Sequence, residues 1–398
     1  MADRLRLGEV AKVISGYAFK SSAFTNSGVP VVKIANIRIG NVDLRDCQYV
    51  AHDYIEALDE KYRVLAGDVL ISLTGSQITQ PNSVVGRVAR QSRSAPLCLL
   101  NQRVGKVIIK HPHICDKTFV YYALFRCETR KILASMGHGA ASQANVSPSQ
   151  VESLEIPNLP VEHQRRIAAV LSAYDDLVEN NTRRIQILEE MARRIYEEWF
   201  VRFRFPEHQT VRMVETELGP IPEGWKLKRL GEVLELVYGK ALKADEREEG
   251  NVPVYGSSGI VGFHGVPLVD EAGIIVGRKG NVGSVHLSDV PFYPIDTVYY
   301  IKTELPLSYV FFNLKRQNFI NNDAAVPGLN RNQARSLPFI LPADSLVNKF
   351  DGLAQNLFGL SRKLQTKNGN LRRTRDLLLP KLISGEIDVS NFPEPVSL

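Results

Sequence analysis

The hydrophobic pattern changes period along the chain, and those changes divide it into four parts. From Val161 to Phe200 the sequence reads VEHQRRIAAVLSAYDDLVENNTRRIQILEEMARRIYEEWF, without a glycine or a proline. Ile167, Leu171, Tyr174 and Leu177, then Ile185, Leu188, Met191, Ile195 and Trp199, recur at steps of three and four. This spacing predicts one continuous helix with an apolar stripe, interrupted only at Asn181. A second stripe of Leu346, Phe350, Leu353, Leu357, Leu360, Leu364, Leu371 and Leu378 predicts another long helix over Asp344–Leu379. Gly352, Gly359 and Gly369 weaken this second helix, each by about 1 kcal/mol against alanine. Two long striped helices in one chain can cover each other as a coiled coil.

Elsewhere the pattern is short and mixed. Residues 1–160 hold strand candidates at Val31–Ile37, Val69–Leu73 and Val104–Ile109, a helical pattern over Lys117–Ala134, and a polar loop over Gly137–Ser149. Val151–Pro160 reads as a short strand. Residues 206–342 repeat this plan: Leu7-Gly8-Glu9-Val10 recurs as Leu230-Gly231-Glu232-Val233, Gly16 as Gly239 and Lys20 as Lys243. Gln150, Ser153 and Leu154 recur as Gln333, Ser336 and Leu337. A repeat on this scale outweighs any single motif. The predicted fold is α+β: two repeated α/β domains, 1–160 and 206–342, separated by helices in 161–205 and 343–398 that pair as an antiparallel coiled coil.

Composition and charge narrow the chemistry. A formal net charge of +6 is compatible with nucleic acid without requiring it. No apolar run reaches the roughly 20 residues of a membrane span, and MADRLRLGEV lacks the apolar core of a signal peptide, which predicts a cytoplasmic protein with no membrane association. Cys47, Cys98, Cys115 and Cys127 suit neither a disulfide framework nor a zinc site and read as reduced structural thiols. His111-Pro112-His113-Ile114-Cys115 has no fourth ligand at metal-site spacing, so no metal is expected. Gly277–Ser284 (GRKGNVGS) follows a strand but fits neither nucleotide-binding glycine pattern. It reads as a tight turn whose backbone amides and two cations could face a phosphate. Asp289-Val290-Pro291-Phe292 lacks a proline needed for an adenine-methyltransferase loop. No nucleophile with its base and no metal-nuclease carboxylate cluster stands out, so the chain is not expected to be catalytic.

Polar residues at loops are the positive signal. In the first repeat these are Ser72, Thr74, Ser76, Gln77, Gln143 and Asn145. In the second they are Lys240, Tyr255, Ser257, Arg278, Lys279, Asn281, Asn330, Arg331 and Asn332. Asn and Gln can pair with adenine and Arg or Lys with guanine, while Ser, Thr and Lys suit phosphates. Arg362, Lys363, Lys367, Arg372, Arg373 and Arg375 on the second helix could assist.

The arrangement resembles the specificity (S) subunit of type I restriction-modification enzymes. The central stretch LPVEHQRRIAAVLSAYDDLVENNTRRIQILEEMARRIYEEWF is similar to that family's helical spacer, and RDLLLPKLISGEIDV to the end of its distal one. LGEVAKVISGYAFKS and LGEVLELVYGKALK resemble the openings of target-recognition domains; NVSPSQVESLEIPNLP and LNRNQARSLPFILP resemble their closings. The chain departs from the pattern at Glu162-His163-Gln164, where the family often has Glu-Gln, and at Asp344-Ser345. The resemblance implies a non-catalytic subunit that binds double-stranded DNA, each domain reading one half of a split asymmetric site and the coiled coil setting the spacer. It implies two modification (M) subunits that use S-adenosylmethionine, and restriction (R) subunits that use ATP and Mg2+. Coiled-coil positions are then Ile167, Leu171, Tyr174, Ile185, Leu188 and Ile195 against Phe350, Leu353, Leu357, Leu364 and Leu371. A helix of about 38 residues spans roughly 57 Å, enough to separate two reading sites by one or two turns of DNA. The alternative from the residues alone is a two-domain interaction scaffold without intrinsic DNA specificity.

Overall fold

A computed structural model describes residues 3–75, 85–137, 144–319 and 328–392. The chain forms two compact units, Met1–Thr182 with Thr366–Leu398, and Arg183–Gln365. The central helix, Val161–Tyr196, and the distal helix, Asp344–Ser384, each contribute one part to each unit.

The first unit is built on two sheets. One has the strand order Ala11–Ser15, Val104–Ile109, Val69–Ser72, Val88–Arg90, Gly40–Asn41. The other places Val29–Val32 between antiparallel Gln48–Val50 and parallel Cys98–Leu100. Val69–Ser72 is buried throughout because helix Lys117–Phe125 packs with it through Phe119, Val120 and Tyr122.

The second unit repeats this topology with fewer strands. Its first sheet runs Glu235–Tyr238, Val298–Lys302, Gly273–Gly277, Val285–Ser288. Its second places Val252–Gly256 between antiparallel Gly259–His264 and parallel Tyr293–Pro294. The repeated LGEV segments are one-turn helices, Leu7–Val10 and Leu230–Val233. Leu7 and Leu230 are buried, and the Glu9 and Glu232 carboxylates accept from the backbone N–H of Arg6 and Arg229. Gly16 and Gly239 allow close backbone crossings: an added Cβ would lie 2.2 Å from the Leu100 carbonyl oxygen or 2.1 Å from that of Ile295.

Several local expectations shift. Val31–Ile37 is a strand only to Val32, followed by a 3-10 turn at Ile34–Asn36. Lys117–Ala134 is two helices, Lys117–Phe125 and Cys127–Met136, broken at Arg126. Val151–Pro160 begins inside helix Pro148–Glu152, and its strand is Glu155–Pro157. The central helix ends in a wider π turn, Glu197–Val201, and the distal helix runs past Pro380 to Ser384. Leu379, Leu382 and Ile383 are buried in the first unit's core and hold that last turn despite the proline. Gln164 anchors the start of the central helix. Its Nε2 donates to the Ile114 and Leu159 carbonyls at 3.0 and 2.7 Å, and its Oε1 accepts from Asp116 N–H at 2.9 Å.

The long helices pack differently in each unit. In the first, Ile167, Ala168 and Leu171 join Leu379, Leu382 and Ile383 in one core. Asn181 donates to Asn368 at 2.9 Å, and Arg375 is ion-paired with Asp175, so residue numbers rise along one helix as they fall along the other. In the second unit Ala192, Tyr196 and Phe200 pack with Val347, Phe350 and Ala354. Tyr196, which the sequence pattern places off the stripe, stacks on Phe312 and meets Phe350 edge-on. Tyr174, Ile185, Leu188, Ile195, Leu357, Leu364 and Leu371 are half-buried. Leu353 and Leu360 are exposed, at 39% and 50%. The buried line of the distal helix instead passes through Ala354, Ser361, Asn368 and Arg375, seven residues apart. Three of those four are polar, so hydrophobicity alone gives the wrong phase. Among the described residues, no helix is long and apolar enough to cross a membrane.

Candidate nucleic-acid interface

In the first unit the buried strand Val69–Ser72 runs into Thr74–Gly75, which pairs antiparallel with Ala144–Asn145. The backbone N–H of Val146 extends the pairing to the Leu73 carbonyl at 2.8 Å. Ser147 then caps helix Pro148–Glu152 through Gln150 N–H. Here the structure corrects two expectations: Ser72 and Thr74 are 0% and 7% exposed, and the Ser72 hydroxyl accepts from Arg87 N–H at 3.1 Å. They shape the loop from inside and cannot reach a base. Asn145 is exposed at the surface of the pair. Ser76, Gln77 and Gln143 lie outside the described residues.

The second unit has the same hydrogen-bonded frame. Lys279 bridges Gly328, Leu329 N–H donates to the Arg278 carbonyl at 2.8 Å, and Asn330 caps helix Arg331–Ser336 through Asn332 and Gln333 N–H. By register Arg278 stands where the first unit has Leu73, and Lys279 where it has Thr74. The Gly277–Ser284 turn is closed on itself, which corrects the expectation of outward amides. Gly277 N–H donates to Ser284, Arg278 and Lys279 N–H to Thr297, Val282 to Gly280 and Gly283 to Gly277. Asn281 N–H donates to the Ser257 hydroxyl at 3.3 Å, and the Ser284 hydroxyl to the Ser257 carbonyl at 2.5 Å. Side chains, not backbone amides, are what this turn presents.

Arg278 is partly committed to the fold: its Nε and Nη2 both donate to the Asp296 carbonyl, at 3.1 and 2.7 Å. Its guanidinium lies 5.3 Å from the Tyr238 ring, and Arg331 lies 5.6 Å from the same ring. Arg331 also pairs with Glu235 at 3.2 Å. Tyr238 in turn packs on Tyr299 at 4.9 Å. Burial, and then Tyr238, hold the Tyr299 hydroxyl well above its ordinary pKa, so it stays a donor, to the Leu329 carbonyl at 3.1 Å. Arg278 and Arg331 of this platform are among the expected residues, but Tyr238 and Tyr299 are not. Its one sequence signal is an aromatic at Tyr238 immediately before the repeated Gly239.

Lys240, Lys279, Asn281, Asn330 and Asn332 are exposed and Ser257 is half-buried. Tyr255 is 7% exposed, packed edge-on against Phe292, and is a core residue. Asn330 uses its side-chain oxygen as a helix cap, leaving its amide NH2 for a partner. On the distal helix, Arg375 is not available to DNA. Burial opposes its charge, but Asp175 and Asp376 outweigh burial and hold it fully protonated. Arg362 pairs with Asp289 at 3.3 Å.

Cys98 and Cys115 are buried, Cys47 is half-buried and Cys127 is exposed. Burial pushes Cys98 up to about 12 and Cys115 up to about 11. His111 and His113 meet edge-on at 5.8 Å. No group of three or more metal-ligating side chains occurs among the described residues.

Comparison with known proteins gives a consistent answer. Residues 3–190 and 222–346 match the family described as the type I restriction modification DNA specificity domain. The type I restriction enzyme MjaIX specificity subunit of Methanocaldococcus jannaschii is 28% identical, over 73% of this chain and 73% of that protein. The crystal structure of a type I restriction-modification system S subunit from M. genitalium superposes with a TM-score of 0.53 at 19% identity, covering 96% of this chain and 95% of that one.

Proposed function

Because the chain belongs to the family of type I restriction modification DNA specificity domains, we propose that it reads a split, asymmetric site on double-stranded DNA, one half-site per unit. It is a specificity subunit and has no catalytic role of its own. Methyl transfer to adenine comes from two M subunits that bind S-adenosylmethionine, and cleavage from R subunits driven by ATP with Mg2+. The central and distal helices form one antiparallel coiled coil that sets the unread spacer.

The observation that carries this reading is the repeat of topology down to individual backbone hydrogen bonds. Val146 to Leu73 and Leu329 to Arg278 make the same antiparallel bridge bond in both units, at 2.8 Å each. One frame used twice, with different side chains displayed, suits two half-sites of different sequence. Asn145 in the first unit suits adenine; Lys279, Arg278 and Asn281 in the second suit guanine edges and phosphates. Tyr238 supplies an apolar face that aligns the two arginines.

Removing residues 206–342 tests the division of labour. In footprinting with M subunits present, the truncated chain is expected to protect one half-site and lose the other. Protection of the complete split site would end this reading. A binding assay of the full chain on random and cognate duplexes separates a reader from a scaffold, since a scaffold would bind both equally.

A further inference from the structure

One tight turn recurs in both units bond for bond, directly beside the reading bridge. In the first unit it spans residues 101–104. Val104 N–H donates to the Asn101 carbonyl at 2.9 Å, Gly16 N–H to the Val104 carbonyl at 3.2 Å, and Asn101 N–H to the Val32 carbonyl at 3.1 Å. In the second unit it spans residues 295–298. Val298 N–H donates to the Ile295 carbonyl at 3.1 Å, Gly239 N–H to the Val298 carbonyl at 3.1 Å, and Ile295 N–H to the Tyr255 carbonyl at 2.9 Å. A turn pinned at three points holds its two central residues in fixed positions. They are Gln102 and Arg103 in the first unit, and Asp296 and Thr297 in the second.

The residue that joins the bridge also holds the turn. Leu73 accepts from Val146 and donates its own N–H to the Arg103 carbonyl at 2.9 Å. Arg278 accepts from Leu329 and donates its own N–H to the Thr297 carbonyl at 2.9 Å. Turn and bridge are therefore one residue and two hydrogen bonds apart, about 10 Å at most, which is within the roughly 12 Å width of the DNA major groove. A groove that admits the bridge admits the turn.

The side chains at the matched positions are exchanged. Continuing the strand register, Arg103 stands across from Leu73, and Thr297 across from Arg278. The first unit carries its cation on the turn, opposite a buried leucine. The second carries it on the strand, folded back onto the Asp296 carbonyl. Gln102, Arg103 and Asp296 are all exposed. Arg4, Arg45 and Arg93 of the first unit pair with Glu155, Asp43 and Asp176. The Arg103 guanidinium and the Gln102 amide have no partner among the described residues, although Arg103 N–H is held by Asn101 Oδ1 at 3.4 Å. The Asp296 carboxylate has none either, since Arg278 bonds the carbonyl of that residue. A carboxylate repels phosphates, so on a turn that enters a groove it suits a base amino group such as cytosine N4.

We propose that this turn is a second reading element in each unit. Arg103 reads a guanine of the first half-site, with Gln102 on the neighbouring base pair, and Asp296 reads a cytosine of the second. The proposal rests on the assignment of the chain as a DNA reader.

The test titrates the full-length chain, with its M subunits, on a duplex carrying the motif that its complex methylates and on a set with each base pair changed in turn. Arg103→Ala is expected to weaken the cognate duplex by roughly 5- to 150-fold and to abolish discrimination at one G·C pair of the first half-site. Discrimination in the second half-site should stay unchanged. Asp296→Asn should do the reverse, losing a cytosine preference in the second half-site alone. An equal loss on every duplex, with a lower salt dependence, would make Arg103 a phosphate contact and overturn its reading role. No loss overturns it as well. Gln102→Asp copies the second unit's residue and gives a readout that misfolding cannot mimic: preference at one pair of the first half-site should move toward cytosine. An unmoved preference there would contradict the role of Gln102. If the wild-type chain binds all duplexes alike, the DNA-reading assignment itself falls, whereas a selective wild type with indifferent variants removes only the turn.

Discussion

The two units share an antiparallel bridge at matched positions and display different side chains there. In the first unit the turn positions are Leu73, Thr74 and Asn145; in the second they are Arg278, Lys279 and Gly328. The backbone bonds that close them are the same length, 2.8 Å. Among the described residues the first bridge exposes Asn145, with Leu73 and Thr74 buried beside it. The second presents cations organised by Tyr238, and so keeps charge at the surface. Frame and chemistry are thus separable, and variants should affect one unit at a time.

The sharpest break comes from Arg375→Met. It strands Asp175, which also accepts from the Tyr122 hydroxyl at 2.6 Å, and should cost about 3–5 kcal/mol in denaturant unfolding of the first unit. The equivalent seam position in the second unit is Ser361, whose hydroxyl is buried without a partner, so Ser361→Ala should be neutral or slightly stabilising there. A similar loss at both positions would contradict the asymmetry.

The matched glycines come next. Gly16→Ala and Gly239→Ala each place a Cβ against a carbonyl oxygen, 2.2 or 2.1 Å away, that already accepts a backbone hydrogen bond, from Tyr17 or from Val298. Each is expected to destabilise its own unit by about 1–3 kcal/mol, with the other unit's exchange protection intact. Hydrogen exchange read separately over residues 3–75 and 226–316 checks this. Loss of protection in both would mean the units do not fold independently.

Asn368→Leu leaves the Asn181 amide unpaired, for about 1–3 kcal/mol, while the double change with Asn181→Leu should recover most of it. The pair is then a device for register rather than stability, the role a single buried Asn can play in a coiled coil. Failure of the double variant to recover would place its role elsewhere.

At the turns, Asn145→Ala should change base preference at one position of one half-site by about 1–3 kcal/mol. Lys279→Ala should weaken binding uniformly and reduce salt dependence.

The smallest effect is acidic. Arg45 beside Asp43 holds that carboxyl down at about 2 against 3.8. A depressed carboxylate contributes stability that is complete above about pH 4 and lost as pH falls toward 2. Asp43→Asn should remove this step from the first unit, while Glu190, held down at about 2 by Arg193 and Arg194, leaves the second unit's own acid step in place.

Much of the frame is legible in the sequence because it rests on residues with few substitutes. Leu7 and Leu230 fill a core, Glu9 and Glu232 cap a backbone amide, and Gly16 and Gly239 permit a close crossing. The central helix is legible because it lacks breakers. The seam of the distal helix is not, since Ser361, Asn368 and Arg375 occupy buried positions and Leu353 and Leu360 lie outside. Ser72, Thr74 and Tyr255 show the opposite failure: polar atoms near a turn look exposed in sequence, but strand register turns them inward. Arg278 is legible as a cation, while its bonds to Asp296 and its packing on Tyr238 depend on strands far apart in the chain.

The central claim is that each unit reads one half-site on its own. The most direct measurement is methylome sequencing of a host that expresses this chain with its M subunits, beside a chain in which residues 206–342 are replaced by the matching segment of a relative. The expected result is a split motif in which one half and the spacer length stay fixed while the other half changes completely. A motif that changes in both halves, or does not change, would contradict the account.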